Sequence, residues 1–276
     1  MLKRIILILL MMSIVMSQSG FDILSTPTDS RDAALGLNLN QTAKPTRILT
    51  HPQAVATLSV WNWVADVQGA YIGVALPNMH LSFQAMNSGE IEYRNDIPSE
   101  EPISTFQYNL FSTGGAYARQ VGSLILGLGA ELVYERTLNA SAAGLSLNLA
   151  TAYELNQNFL LSGGFRHLGV MGDLDEESTE LPSEIWMAVD ATFSDLSVLA
   201  EINNGPIPNA LGISYSILNN FELMGGLQVE ASEPDMRVLP SAGFSAAWSS
   251  FTLGYSIYHI NHNLGPRHFI SLFWSY

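Results

Sequence analysis

The chain has 276 residues and a formal charge of −14; it is 47% hydrophobic, only 13% charged, and contains no cysteine. A soluble domain carries about 25% charged residues, yet no apolar run here approaches the ~20 residues a transmembrane helix needs, so neither an ordinary soluble surface nor a helical membrane protein fits. The missing cysteines exclude a disulfide scaffold, a zinc–thiolate centre, a cysteine nucleophile and a lipidated cysteine anchor, and the negative field excludes a phosphate-backbone partner, so no nucleic acid is expected.

Residues 1–17 read as a secretory signal peptide. Lys3 and Arg4 form a positive start, Ile5 to Val15 an apolar stretch, and Val15 and Ser17 fit the small-residue cleavage rule, which leaves Gln18 first in the exported chain. As a helix, that stretch covers about 16 Å, half of a ~30 Å hydrocarbon core, so it is too short for an anchor. Residues 18–54 do not alternate. They hold Pro27, Pro45 and Pro52 and a helix-compatible run from Ser30 to Leu37, and they are expected to plug the lumen of the structure that follows.

From residue 55 to 276 one theme repeats: segments of about ten residues alternate apolar with small or polar side chains, separated by turn residues. Leu145, Leu147, Leu149, Thr151 and Tyr153 fall on one face, and Ser146, Asn148, Ala150, Ala152 and Glu154 on the other. A helix would scatter both sets around its axis. Lysine occurs only at positions 3 and 44, so the polar face is not that of a water-solvated sandwich. The inverted arrangement fits, with apolar residues outward to lipid and small or polar ones toward a lumen. Closure then follows, because a sheet edge in hydrocarbon leaves backbone groups unpaired.

The chain is therefore expected to be all-β, a transmembrane antiparallel β-barrel. It has about fourteen strands, at 55–64, 67–76, 79–94, 105–119, 121–136, 141–153, 158–170, 183–193, 195–204, 208–217, 220–231, 239–249, 251–261 and 266–276. Connections after even strands are short. The longest, 95–104, 171–182 and 232–238, follow odd ones, the parity of short periplasmic turns and long outer loops in the bacterial outer membrane. The turn near Ala65 and Asp66 is short on the wrong side.

Several stretches carry a resemblance. Ser30-Arg31-Asp32-Ala33-Ala34-Leu35-Gly36, then His51-Pro52-Gln53-Ala54, Trp63-Val64-Ala65-Asp66-Val67, Ser88 to Arg94, Tyr117-Ala118-Arg119 and Leu264 to His268 stand in the order and spacing of the PorV/PorQ family, a branch of the FadL-like outer-membrane barrels, which the chain resembles over nearly its whole exported length. His51 replaces the family's usual Asn and Leu37 a Gly. The resemblance implies a plug motif at Arg31, Ala33, Ala34, Gly36, His51 and Pro52. It also implies one of two non-enzymatic roles: partner binding in type IX protein secretion, or passive passage of hydrophobic or small solutes. The implied partners are outer-membrane lipid with secreted proteins or secretion machinery, or such solutes; no cofactor is implied.

Other chemistry is weakly represented. Gly243-Phe244-Ser245-Ala246-Ala247 lacks the final glycine of a nucleophile elbow, Ser256 and His259 point to opposite faces of a strand, and the His259/His262 spacing splits that pair across the wall. No catalytic residue and no metal site is assigned. Gly127 to Leu132 lacks the third glycine of a dinucleotide loop and lies inside a strand. Glu131, Ser146, Asn148, Glu222 and Gln228 are expected to face the lumen. Asp173, Asp175, Glu176, Glu177 and Glu180, in the longest outer loop, are expected partner contacts, with a calcium role open.

Overall fold

The computed structural model describes residues 22–50, 55–62, 66–94, 101–138, 140–174, 180–205, 207–218, 220–232, 235–259 and 265–275. A short 3-10 turn, Asp22–Leu24, precedes two helices, α1 (Ser30–Leu35) and α2 (Arg47–Thr50). The strands are β1 (Val55–Asn62), β2 (Gln68–Ala75), β3 (Met79–Asn87), β4 (Ile91–Tyr93), β5 (Ser104–Phe106), β6 (Asn109–Val121), β7 (Leu124–Arg136) and β8 (Ser141–Asn156). They continue as β9 (Phe159–Met171), β10 (Glu184–Phe193), β11 (Leu196–Asn203), β12 (Asn209–Leu218), β13 (Phe221–Ser232), β14 (Asp235–Trp248), β15 (Phe251–His259) and β16 (Pro266–Ser275).

Fourteen of these strands close into one antiparallel barrel, with β1 sealing against β16 from Val55–Ser275 to Asn62–His268. Alternation sets which face is which. Leu145, Leu147 and Leu149 on β8 are 44–46% exposed, while Ser146 and Asn148 between them are 0% exposed. The same holds on β7, where Leu124, Leu126, Leu128 and Leu132 point out and Ile125, Glu131, Val133 and Glu135 are buried. The apolar side chains thus face outward, and rings gather outside at the short-turn end: Tyr153, Phe193, Tyr215, Phe251 and Trp274. Among the described residues no helix is long and apolar enough to cross a membrane.

Two expected boundaries move. The stretch 79–94 is not one strand: β3 leaves the wall at Asn87, whose side chain accepts the Gly89 N–H at 2.7 Å, and Gly89 takes the left-handed φ of +74° that makes the turn. The chain beyond it forms a separate two-stranded hairpin, β4 with β5, before re-entering the barrel at Asn109 rather than at 105. Conversely, 232–238 is not a long loop, because β13 and β14 stay paired out to Ser232 and Asp235.

Candidate functional site

Residues 22–50 lie inside the barrel. Every residue from Ile23 to Leu49 is buried or half-buried, and their partners are inward-facing groups all around the wall. The local sequence builds α1 from its caps. The Asp29 carboxylate accepts the N–H groups of Arg31 and Asp32 at 2.8 and 3.0 Å, and Gly36 closes the helix at φ +66°. Asp32 accepts the Thr28 hydroxyl and the Leu39 N–H. Burial, reinforced by the neighbouring Asp29 charge, pushes the Asp32 carboxyl up to about 8.

The wall receives this helix on small residues. A Cβ added to Gly226 of β13 would land on the Leu35 backbone, and one on Gly254 of β15 on the Ser30 hydroxyl. Hydrogen bonds lock the fit: Ser30 N–H to Ser271 Oγ at 2.8 Å, Ser241 Oγ to the Ala34 carbonyl at 2.9 Å, and Gln228 Nε2 to the Gly36 carbonyl at 2.8 Å. On the opposite wall, Thr42 bonds with His80 and Ser82 of β3 at 3.0 and 2.9 Å. A Cβ on Gly127 or Gly129 of β7 would meet Pro45 or Thr42.

The plug's acids and bases divide the work. Asp29 and Asp32 serve the plug itself, while its three cations each reach a wall carboxylate: Arg31 to Glu222 at 2.5 Å, Arg47 to Asp190 at 3.6 Å, and Lys44 to Glu201. Lys44 ends in a buried network. Arg166 bonds Glu184 and stands 3.0 Å from the second oxygen of Glu201, and the Trp186 ring centre lies 5.2 Å from the Lys44 ammonium.

Next to it the wall is irregular. Arg166 and His167 of β9 together oppose Asn148 of β8, a bulge that turns two consecutive side chains inward. His167 holds a left-handed φ of +58°, with its N–H donated to Asn148 Oδ1 at 2.7 Å and its carbonyl accepting Ser183 Oγ at 2.6 Å.

Two features divide the lumen along its axis. At the long-loop end Ile23, Leu24, Met86, Leu110, Val133 and Leu181 pack into an apolar lid. At the short-turn end a cavity of about 650 Å³ lies between the plug and β8–β12, with Leu35, Leu49, Phe159, Leu160, Val198 and Leu199 among its apolar lining and Arg31, Arg47, Glu154 and Asp190 among its polar one.

Of the residues singled out in the sequence, Ala33 and Ala34 are fully buried, and Arg31 and Gly36 make the contacts given above. His51 and Pro52 lie outside the described residues, as do Asp175, Glu176 and Glu177. Asp173 and Glu180 are exposed. Glu131 stands 3.6 Å from His167 and accepts from Asn148 at 3.4 Å; Glu222 holds Arg31; Gln228 also takes the Tyr258 hydroxyl. Ser146 Oγ is buried without a hydrogen-bond partner among the described residues. Sequence reasoning missed Arg166, Glu184, Trp186 and Glu201. Its one available signal was Lys44, the single lysine after position 3.

The sequence matches no protein-family profile and no curated relative. The fold does have relatives among solved structures. The Pseudomonas putida toluene transporter TodX aligns with a TM-score of 0.64 at 11% identity, over 93% of this chain and 98% of that one. The CymD monoaromatic hydrocarbon channel gives 0.63 at 13%, over 93% and 99%. A Pseudomonas aeruginosa FadL homologue gives 0.51 at 11%, over 94% and 96%. This chain therefore shares the fold of TodX, CymD and the FadL homologue.

Proposed function

We propose that the protein is an exported, non-enzymatic outer-membrane channel for small hydrophobic solutes, closed at rest by residues 22–50. The observation that carries this reading is the lumen itself: a chain segment fills it, yet leaves a cavity of about 650 Å³ with Leu, Val and Phe side chains from both plug and wall among its lining. A purely structural plug has no use for such a space. The likeness to hydrocarbon channels supports the same reading. So does the apolar exterior, which suits a barrel solvated by lipid.

The test is uptake of radiolabelled toluene by intact cells lacking other hydrophobic channels, with planar-bilayer conductance of the purified chain alongside. Removing residues 18–54 should raise both sharply. Unchanged uptake and conductance would defeat the gated channel.

A second reading, partner binding in protein secretion, rests on the order of the PorV/PorQ-like motifs along the chain. It predicts that Glu176→Ala with Glu177→Ala impairs export of other proteins while the barrel stays folded. Normal export in that variant would remove it.

A further inference from the structure

The lumen is closed in two different ways on its two sides. Against β12–β16 and β6–β7 the plug's own backbone sits on glycines of the wall, so that a Cβ at Gly212, Gly226, Gly127 or Gly129 would run into it. Opening that side requires withdrawing main chain from a packed interface. Against β9–β11 the plug meets the wall through side chains: Lys44 reaches Glu201, Arg47 stands 3.6 Å from Asp190, and Leu35, Leu37 and Leu39 cluster with Leu199.

Lys44 stands directly over the chamber. Leu199 of β11 and Asp190 of β10 face each other across the ladder and line the cavity. The next inward pair along the same strands is Glu201 and Ala188, about 7 Å further toward the long-loop end. Beyond it lie Trp186 and Glu184, the latter paired in register with Arg166. The Lys44 network is thus the floor of the outer half of the lumen and the roof of the chamber, on one set of strands.

We propose that the solute route runs down the β9–β11 side and that Lys44 is the residue that closes it, the rest of the plug staying docked while solute passes. This rests on the channel reading above and names its gate.

The chemistry suits a closure that opens. When the Lys44 ammonium leaves Glu201, that carboxylate keeps a cation, because Arg166 stands 3.0 Å from its other oxygen and is itself held by Glu184. One Arg166 then answers two carboxylates, so the site keeps one net negative charge that draws the ammonium back, while neither carboxylate loses its last cation, the heavier penalty of parting a buried pair. The ammonium also has a second seat within reach, the face of Trp186. Lysine offers a compact charge on four flexible carbons, whereas the planar, forked Arg166 is suited to staying put.

The absence of cysteine makes the test clean. In the full chain, Lys44→Ala should raise toluene uptake and single-channel conductance about tenfold, while Lys44→Met, which keeps the bulk and drops the charge, should raise them less. Lys44→Cys with Glu201→Cys, bridged by a short bis-thiosulfonate reagent, should fall to the protein-free background and recover on adding reductant. Amide exchange of residues 30–36 should stay unchanged in all of them, showing the plug still docked. Folding is followed by resistance of the unheated barrel to SDS, and the bridged pair answers the question if Lys44→Ala does not fold.

If the chain lacking residues 18–54 conducts but the bridged pair passes solute at the wild-type rate, the route lies elsewhere and Lys44 is not its gate. If even the plug-deleted chain passes nothing, the channel reading itself falls and takes the gate with it.

Discussion

Asp29 and Asp32 stand at the same end of α1 with different tasks. Asp29 is the N-cap, and Asp29→Ala leaves two helix N–H groups without their acceptor, which should cost about 1 kcal/mol of plug docking. Asp32 belongs to the plug rather than to a strand, and its carboxyl is raised to about 8 by burial and by Asp29. An acid whose docked pKa lies above its free value holds its proton more tightly when docked. Docking is therefore fully supported below the free value of about 4 and weakens as pH rises toward 8. Amide exchange of residues 30–36 should accelerate across that window, and Asp32→Asn should flatten the dependence; a flat wild-type profile would show the carboxyl is not the cause. Gly226 offers a sharper probe of the same contact. Gly226→Ala sets a methyl on the Leu35 backbone and should cost about 1–3 kcal/mol of urea stability, whereas Gly225→Ala, one residue along on the outer face, meets nothing closer than 3.8 Å and should be nearly silent.

At the scale of elements, period-two alternation made the wall legible, because one face had to be small or polar and the other apolar. The closed barrel of fourteen strands follows from it, whereas the helix Ser30–Leu35 lies in a stretch that does not alternate and was legible only as a helix-compatible run from Ser30 to Leu37. What alternation cannot encode is where a strand stops alternating. Asn87, Ser88 and Gly89 end β3 through a side-chain bond and a positive φ, while the residues after them still read as strand. The expected loop 232–238 is instead strand, with β13 and β14 paired out to Ser232 and Asp235, and Pro240, inside the expected strand 239–249, keeps its place in the ladder opposite Leu227. The β8–β9 bulge was hidden for the same reason: it turns Arg166 and His167 inward together, which a strict period of two forbids. The buried ion network of the candidate gate was invisible because its members lie on four segments far apart in sequence. The bulge depends on Asn148. Asn148→Ala removes the acceptor of the buried His167 N–H and should cost about 1–3 kcal/mol, measured as a lower urea midpoint for loss of the SDS-resistant band; an unchanged midpoint would mean the bulge holds itself.

For the whole molecule, the decisive property is that the protein is inside out. Its buried set includes Glu131, Glu184, Glu201, Arg166 and Lys44, and its exposed set is dominated by Leu, Ile, Val and aromatic rings. In water that surface is a large aggregation-prone patch; in lipid it is the solvated face, and polar groups are satisfied internally. The two environments assign opposite signs to one substitution. Leu128 sits mid-strand on the outer face, between Tyr117 and Leu149, and is 53% exposed. In a bilayer, Leu128→Arg places a guanidinium near the midplane and should cost about 2–4 kcal/mol, while Val170→Arg, one residue from the long-loop end of β9, should cost at most about 1. In water both changes would be harmless or would improve solubility. Reversible urea unfolding of the two variants in lipid vesicles separates these outcomes. A depth-dependent loss, large at 128 and small at 170, requires the apolar band to lie in hydrocarbon; equal, negligible effects at the two depths would mean that it does not.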